Sequence, residues 1–131
     1  MREIKFRGKK VSNDEWVYGD LIHNTMYGNR KSIAIKEFDN NTWLNCFEVI
    51  PASVGQFTGF KDCEGKEIYE GDIIEMVYDT SDDILTRGKI VYETGSYYFD
   101  DDEIITGLFE IIDNADCFSI IGNIHDKEDE K

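Results

Sequence analysis

The stretch Val54-Gly55-Gln56-Phe57-Thr58-Gly59-Phe60-Lys61-Asp62-Cys63-Glu64-Gly65-Lys66-Glu67-Ile68-Tyr69-Glu70-Gly71-Asp72-Ile73-Ile74 decides the fold. Gly55 and Gly59 sit in a strand-like run and point to bends or close backbone approach. From Lys61 to Tyr69 the chain reads as a hairpin. The Asp62 side chain can bond the backbone two residues on, and Gly65 can take positive φ, which fits a type I turn with a glycine bulge. Tyr69-Glu70-Gly71-Asp72 is a second tight turn. It launches a long strand, Asp72 to Tyr78.

Outward from this stretch the reading stays β. Arg2 to Arg7 alternates, with Ile4 and Phe6 on one face and Glu3, Lys5 and Arg7 on the other. Trp16 to Ile22 is a second strand. A polar loop is expected from His23 to Lys31, then a short strand at Ile33-Ala34-Ile35 and another from Thr42 to Ile50. Pro51, the only proline, marks a strand end or an edge. Downstream, an acidic turn covers Asp79 to Asp83. Arg87 to Tyr92 pairs back, and Glu93-Thr94-Gly95 turns into Ser96 to Phe99. In Asp101 to Asn114 the apolar positions Ile104, Ile105, Leu108, Phe109 and Ile112 follow helical spacing. This favours one short helix over 104–112, capped by Asp101 or Asp102, with strand the open alternative. Cys117 to Ile124 is the closing strand, and 126–131 is a charged tail. Hairpins at 8–12 residue spacing argue for a small barrel or two packed sheets.

The chain has 131 residues, 40% of them hydrophobic, with two Trp, seven Tyr and eight Phe. Each buried large apolar side chain contributes roughly 1.5–3 kcal/mol, enough for a core without disulfides or a metal. Cys46, Cys63 and Cys117 are scattered and odd in number, so they read as reduced thiols in a cytoplasm. Met1 to Lys10 is charged and alternating, so no secretory signal is expected. No run approaches the ~20 apolar residues of a membrane helix.

Charge is the most informative bulk property. The formal net is −14. Residues 1–61 hold 9 basic and 7 acidic side chains, and residues 62–131 hold 5 basic and 21 acidic. A net of −16 in the second half repels phosphate backbones and anionic membranes, so direct nucleic-acid or membrane binding there is not expected. The first half, with Arg2, Lys5, Arg7, Lys9 and Lys10, is able to hold a local basic strip.

Three blocks carry a family resemblance. Met1-Arg2-Glu3-Ile4-Lys5-Phe6-Arg7-Gly8 with Trp16-Val17-Tyr18-Gly19 resembles the start of YopX-like proteins of phages and prophages. Val54 to Asp62 with Gly65 to Ile74 is similar to that family's most specific stretch. Ile120-Ile121-Gly122-Asn123-Ile124-His125 resembles its ending. The family's aromatic, proline-containing extension is replaced here by Asp126-Lys127-Glu128, and segment 79–116 carries no quotable signature. The resemblance implies phage or prophage origin, a location in the host cytoplasm and a fold related to SH3-like barrels. It implies no activity and supplies no active-site residues. Under this reading Gly55, Gly59, Gly65, Gly71 and Gly122 are structural turn or bend positions, and Ile68, Ile73, Ile74, Ile121 and Ile124 look like core.

The fold expected is therefore mainly β: a small SH3-like barrel over 51–125, N-terminal strands over 1–50 packed on it, at most one short helix and the tail 126–131. One single domain over 1–125 is the alternative.

No catalytic pattern emerges. His23 and His125 are the only bases that titrate near neutrality, and nothing in their spacing pairs them with a cysteine. The clusters Asp79/Asp82/Asp83 and Asp100 to Glu103 lack the alternating ligands of a Ca²⁺ loop and read as solvated turns. Gly55 to Gly59 lacks the lysine and helix of a phosphate loop. No cofactor is expected. The surface candidates are Tyr97, Tyr98, Asp100, Asp101 and Asp102. The two tyrosines are adjacent, so a regular strand points them to opposite faces. The function expected is a non-enzymatic binding module with an acidic surface and an unidentified protein partner. An oligomeric assembly protein, a decoy mimicking nucleic-acid charge, and an enzyme with an unfamiliar carboxylate site stay open.

Overall fold

A computed structural model describes residues 3–27, 30–37, 46–78, 85–103, 105–110 and 115–126. The chain divides into two units, Met1–Phe57 and Thr58–Lys131.

In the first unit, β1 (Phe6–Lys9), β2 (Trp16–Tyr27), β3 (Arg30–Glu37), β4 (Cys46–Glu48) and the start of β5 (Gly55–Lys61) lie in the order β4-β3-β2-β1-β5. All these pairs are antiparallel. The segment expected to be a loop from His23 is strand instead: β2 runs to Tyr27 and β3 begins at Arg30, with a register shift between Ile22 and Thr25 absorbing an irregular residue. Alternation sends Val17 and Ile35 to a core closed by Val49, with Phe6, Leu21, Ile33, Phe47 and Val54 packed around them. The opposite face of β1 carries Arg7 and Lys9, and Lys5 stands just before the strand. Arg7 and Lys9 lie over the Trp16 ring at 4.6 and 5.6 Å, and Lys5 lies over Phe57 at 5.4 Å. Pro51 opens a one-turn 3-10 helix, Pro51–Ser53, where its missing N–H costs nothing. The Ser53 hydroxyl accepts the Lys9 N–H at 2.8 Å and donates to the Ile50 carbonyl at 2.6 Å, pinning this turn to β1.

β5 continues past Phe57 into the second unit, where its neighbour is β6 (Glu67–Tyr69). The hairpin between them forms as the sequence predicts. Asp62 Oδ1 accepts the Glu64 N–H at 2.9 Å, the Gly65 N–H bonds the Asp62 carbonyl at 3.0 Å, and Gly65 has φ +86°. The next turn uses Gly71 at φ +95°. Gly71 donates to the Ile90 carbonyl and accepts from the Ile124 N–H, while the buried Asp72 carboxylate accepts the Tyr69 N–H at 2.7 Å. Gly59 also has positive φ, Gly55 opposes Arg7 in the β1–β5 pair, and Gly122 follows a register shift in β11.

The second sheet contains β7 (Asp72–Tyr78), β8 (Leu85–Glu93), β9 (Ser96–Asp100), β10 (Ile105–Gly107) and β11 (Ala115–Asn123) in the order β10-β9-β8-β7-β11. Its inner face builds a core of Ile74, Met76, Ile90, Phe99 and Phe118 with Ile68 and Leu108. Gly88 is required there because an added Cβ would stand 2.6 Å from the Phe99 ring.

Two further expectations fail here, the closed barrel and the separate thiols. The described strands form open sheets, not a closed SH3-like barrel: β10 and β11 end the sheet without pairing to each other. The free edge of β11 is covered by the hairpin instead. Asp62 Oδ2 accepts the Ile120 N–H at 3.1 Å, and the Cys63 N–H bonds the Phe118 carbonyl at 3.0 Å. Segment 104–112, open between helix and strand, holds both among its described residues. Residues 105–107 are strand because Ile105 and Thr106 pair with Asp100 and Phe99, and helical residues begin only at 108. Pairing outweighs a helical pattern that Gly107 already weakens. Finally, Cys63 and Cys117 are not separate thiols but a disulfide, 54 positions apart in sequence with Cα atoms 5.9 Å apart. The acidic turn 79–83, the start of the strand read from Thr42 and the tail beyond Asp126 lie outside the described residues.

Two measurements test this account. Gly88→Ala is expected to lower urea-unfolding stability by ~1–3 kcal/mol through overpacking. Gly107→Ala, whose Cβ meets nothing within 4 Å, is expected to leave it nearly unchanged. The second concerns Asp62. Burial favours its neutral form, but N–H donors from Ile120, Lys66 and Glu64, with the Lys66 charge, outweigh burial and hold its pKa below the ordinary value of 3.8. The unfolded chain therefore protonates first. Asp62's contribution is full above that ordinary value and drains as pH falls through the lower folded value. Asp62→Ala is expected to cost roughly 1–3 kcal/mol for each amide left buried without an acceptor. Urea curves taken from neutral pH into the acid range should show the gap between the two proteins closing.

Candidate functional site

The outer face of the second sheet holds an open groove of about 240 Å³ lined by Ile73, Arg87, Gly88, Lys89, Asp100, Asp101, Asp102 and Ile124. Strand register explains the assembly. Ile73 opposes Lys89, Lys89 opposes Asp100, and Asp100 opposes Ile105, so these four residues stand in one row on one face. Arg87 lies two residues before Lys89 and shares that face. Its Nε donates to Glu75 Oε2 at 2.6 Å across the β7–β8 pair.

The carboxylates stand where β9 ends. Asp100 Oδ1 accepts the Asp102 N–H at 2.9 Å, and Asp101 Oδ1 accepts the Glu103 N–H at 3.0 Å. These two short turns lift Asp102 and Glu103 into solvent. Asp102 has φ +79°, a conformation that glycine adopts more easily.

Of the surface candidates drawn from sequence, Asp100, Asp101 and Asp102 come together at the groove. Tyr98 lies on the same face, opposite Val91, but does not line the groove. Tyr97 lies on the inner face, packed on the core and edge-on to Tyr92 with ring centroids 5.0 Å apart. Sequence reasoning missed Arg87 and Lys89. The available signal was charge: two of the 5 basic residues in 62–131 fall two apart on one strand. It also misplaced Ile121 and Ile124, which look like core but are 48% and 51% exposed. The register shift between Ile120 and Gly122 makes Ile121 an extra residue, and Ile124 emerges just past the strand beside the groove.

The groove thus offers cations, carboxylates and an apolar floor. Charge and shape are what such a lining presents to solvent. Among the described residues no three His, Cys, Asp or Glu side chains are grouped to hold a metal ion. No described helix is long and apolar enough to cross a membrane.

The YopX protein family model matches residues 5–129. The chain belongs to the YopX family. This match spans both units and all eleven strands described above. Among solved structures, the YopX-family chain is similar to protein EF1440 from Enterococcus faecalis, at 23% identity, with a TM-score of 0.57 and 95% of each chain covered. At that identity the likeness concerns the fold. No curated protein matches the sequence.

The strained turn yields a test of what Asp102 is for. If its carboxylate serves the groove and not the turn, Asp102→Gly should stay within about 0.5 kcal/mol of the parent in urea unfolding. Asp102→Val should lose ~1–2 kcal/mol, because a β-branched side chain tolerates positive φ poorly.

Proposed function

We propose that this YopX-family chain is a non-enzymatic protein-binding module of phage or prophage origin that works in the host cytoplasm. Its contact face is the outer groove of the second sheet. The observation that carries this reading is the juxtaposition of Asp100, Asp101 and Asp102 with Lys89 over Ile73 and Ile124. The partner presents basic side chains to the aspartates and a small apolar group to the isoleucines.

Charge favours this reading. The second unit holds 6 basic and 21 acidic residues, against 8 and 7 in the first. A field of that sign speeds encounter with a basic surface and sets the partner's orientation. The origin and the location rest on the sequence resemblance. Reduced, separate cysteines no longer support the location, since disulfides persist mainly in oxidising surroundings.

The test is affinity capture from host extract with the full chain as bait. Captured protein should fall away as ionic strength rises from about 0.01 M to about 1 M, which shortens the Debye length from about 30 Å to about 3 Å. Replacing Asp100, Asp101 and Asp102 together by Asn should weaken capture at low salt at least about tenfold, or about 1.4 kcal/mol. Capture that ignores both salt and these substitutions would sink the proposal.

A further inference from the structure

Within the second unit, the hairpin after β5 lies along the outer edge of β11. The Cys63 N–H donates to the Phe118 carbonyl, the Phe118 N–H donates to Cys63 Sγ at 3.0 Å, and Asp62 Oδ2 accepts from Ile120. Beside these bonds Cys63 is joined to Cys117. Both cysteines are exposed to solvent. The sulfurs therefore sit where a soluble thiol or disulfide can reach them, on a contact between segments far apart in the chain.

We propose that Cys63 and Cys117 form a redox latch that fixes the 61–66 hairpin on the β11 edge. Closing proceeds by thiol–disulfide exchange with a low-molecular-weight disulfide. A Cys63 or Cys117 thiolate attacks it, forms a mixed disulfide and expels one small thiol. The second protein thiolate then attacks the protein sulfur of that mixed disulfide and expels the other. The protein loses two electrons and two protons, and the small disulfide becomes two thiols. Excess small thiol runs the same steps backwards.

The covalent bond closes a loop across 54 positions, so it restricts the unfolded chain as well as the hairpin. With the latch open, the hydrogen bonds of Asp62 and Cys63 still join the hairpin to the edge. Unpaired sheet edges are the regions where strands acquire new neighbours. The latch thus sets how often the β11 edge is bare.

The experiment uses the full chain carrying Cys46→Ser, which leaves only the two latch thiols, in glutathione buffers of graded disulfide-to-thiol ratio. Alkylation and mass spectrometry should show zero or two labelled thiols, interconverting as a pair. The oxidised form should melt at least about 5 °C above the reduced form. Amide exchange at Phe118 and Ile120 should speed up on reduction by roughly tenfold more than at Ile74 and Met76, whose smaller change follows the shift in global stability. A Cys63→Ser, Cys117→Ser variant in the same background should behave as reduced in every buffer. Two labelled thiols even in pure glutathione disulfide would overturn the latch. Equal exchange at Phe118 and Ile120 in both forms would overturn its control of the edge.

Discussion

The Asp62 carboxylate holds together two pieces of chain that are 58 positions apart. One oxygen accepts N–H groups from Glu64 and Lys66 and thereby shapes the hairpin; the other accepts the Ile120 N–H on the sheet's last strand. A buried charge is costly unless its lone pairs are filled, and here three amides fill them. The arrangement also disposes of a liability. A sheet that does not close leaves an edge, and β11 would present nine residues of it. The hairpin occupies the middle of that edge, so the sheet tolerates remaining open. Closure into a barrel is one answer to the edge problem, and a hairpin laid over the last strand is another.

Much of the fold was legible because local rules and long-range packing agree. Gly65 and Gly71 occupy positive φ in turns their neighbours already specify, and Asp62 bonds the amide two residues on. Ile74 and Met76 recur at two-residue spacing on β7, whose inner face buries both. Where the reading failed, a distant partner decided. Ile105 and Thr106 carry a helical pattern, yet β9 offers them a ladder, and no property of 101–114 announces β9's free side. Cys63 and Cys117 have no motif spacing; only the hairpin's placement on β11 makes them neighbours. Ile124 counts as core by residue type but leaves the sheet after a bulge.

The candidate site was half legible for the same reason. An acidic run is visible in any sequence, so Asp100 to Asp102 stood out, whereas Lys89 becomes a groove residue only through its register with Ile73 and Asp100. Tyr97 and Tyr98 show alternation at work: one packs inward on the core and its neighbour faces outward.

The division of labour along the chain follows. The blocks that carry the YopX resemblance supply the turn glycines, Asp62, Asp72 and the buried Ile68 and Ile74, which hold the sheet in shape. The charged groove residues Arg87, Lys89 and Asp100 to Asp102 all fall within 79–116, where no such signature is found. A scaffold whose turns are fixed by backbone geometry constrains the outward side chains of β8 and β9 less than the buried ones, because they lie outside the core. Arg87 shows how weak that constraint is. Its guanidinium pairs with Glu75 on an exposed surface, where such a pair is worth ~0–1 kcal/mol, so stability alone does not hold arginine there.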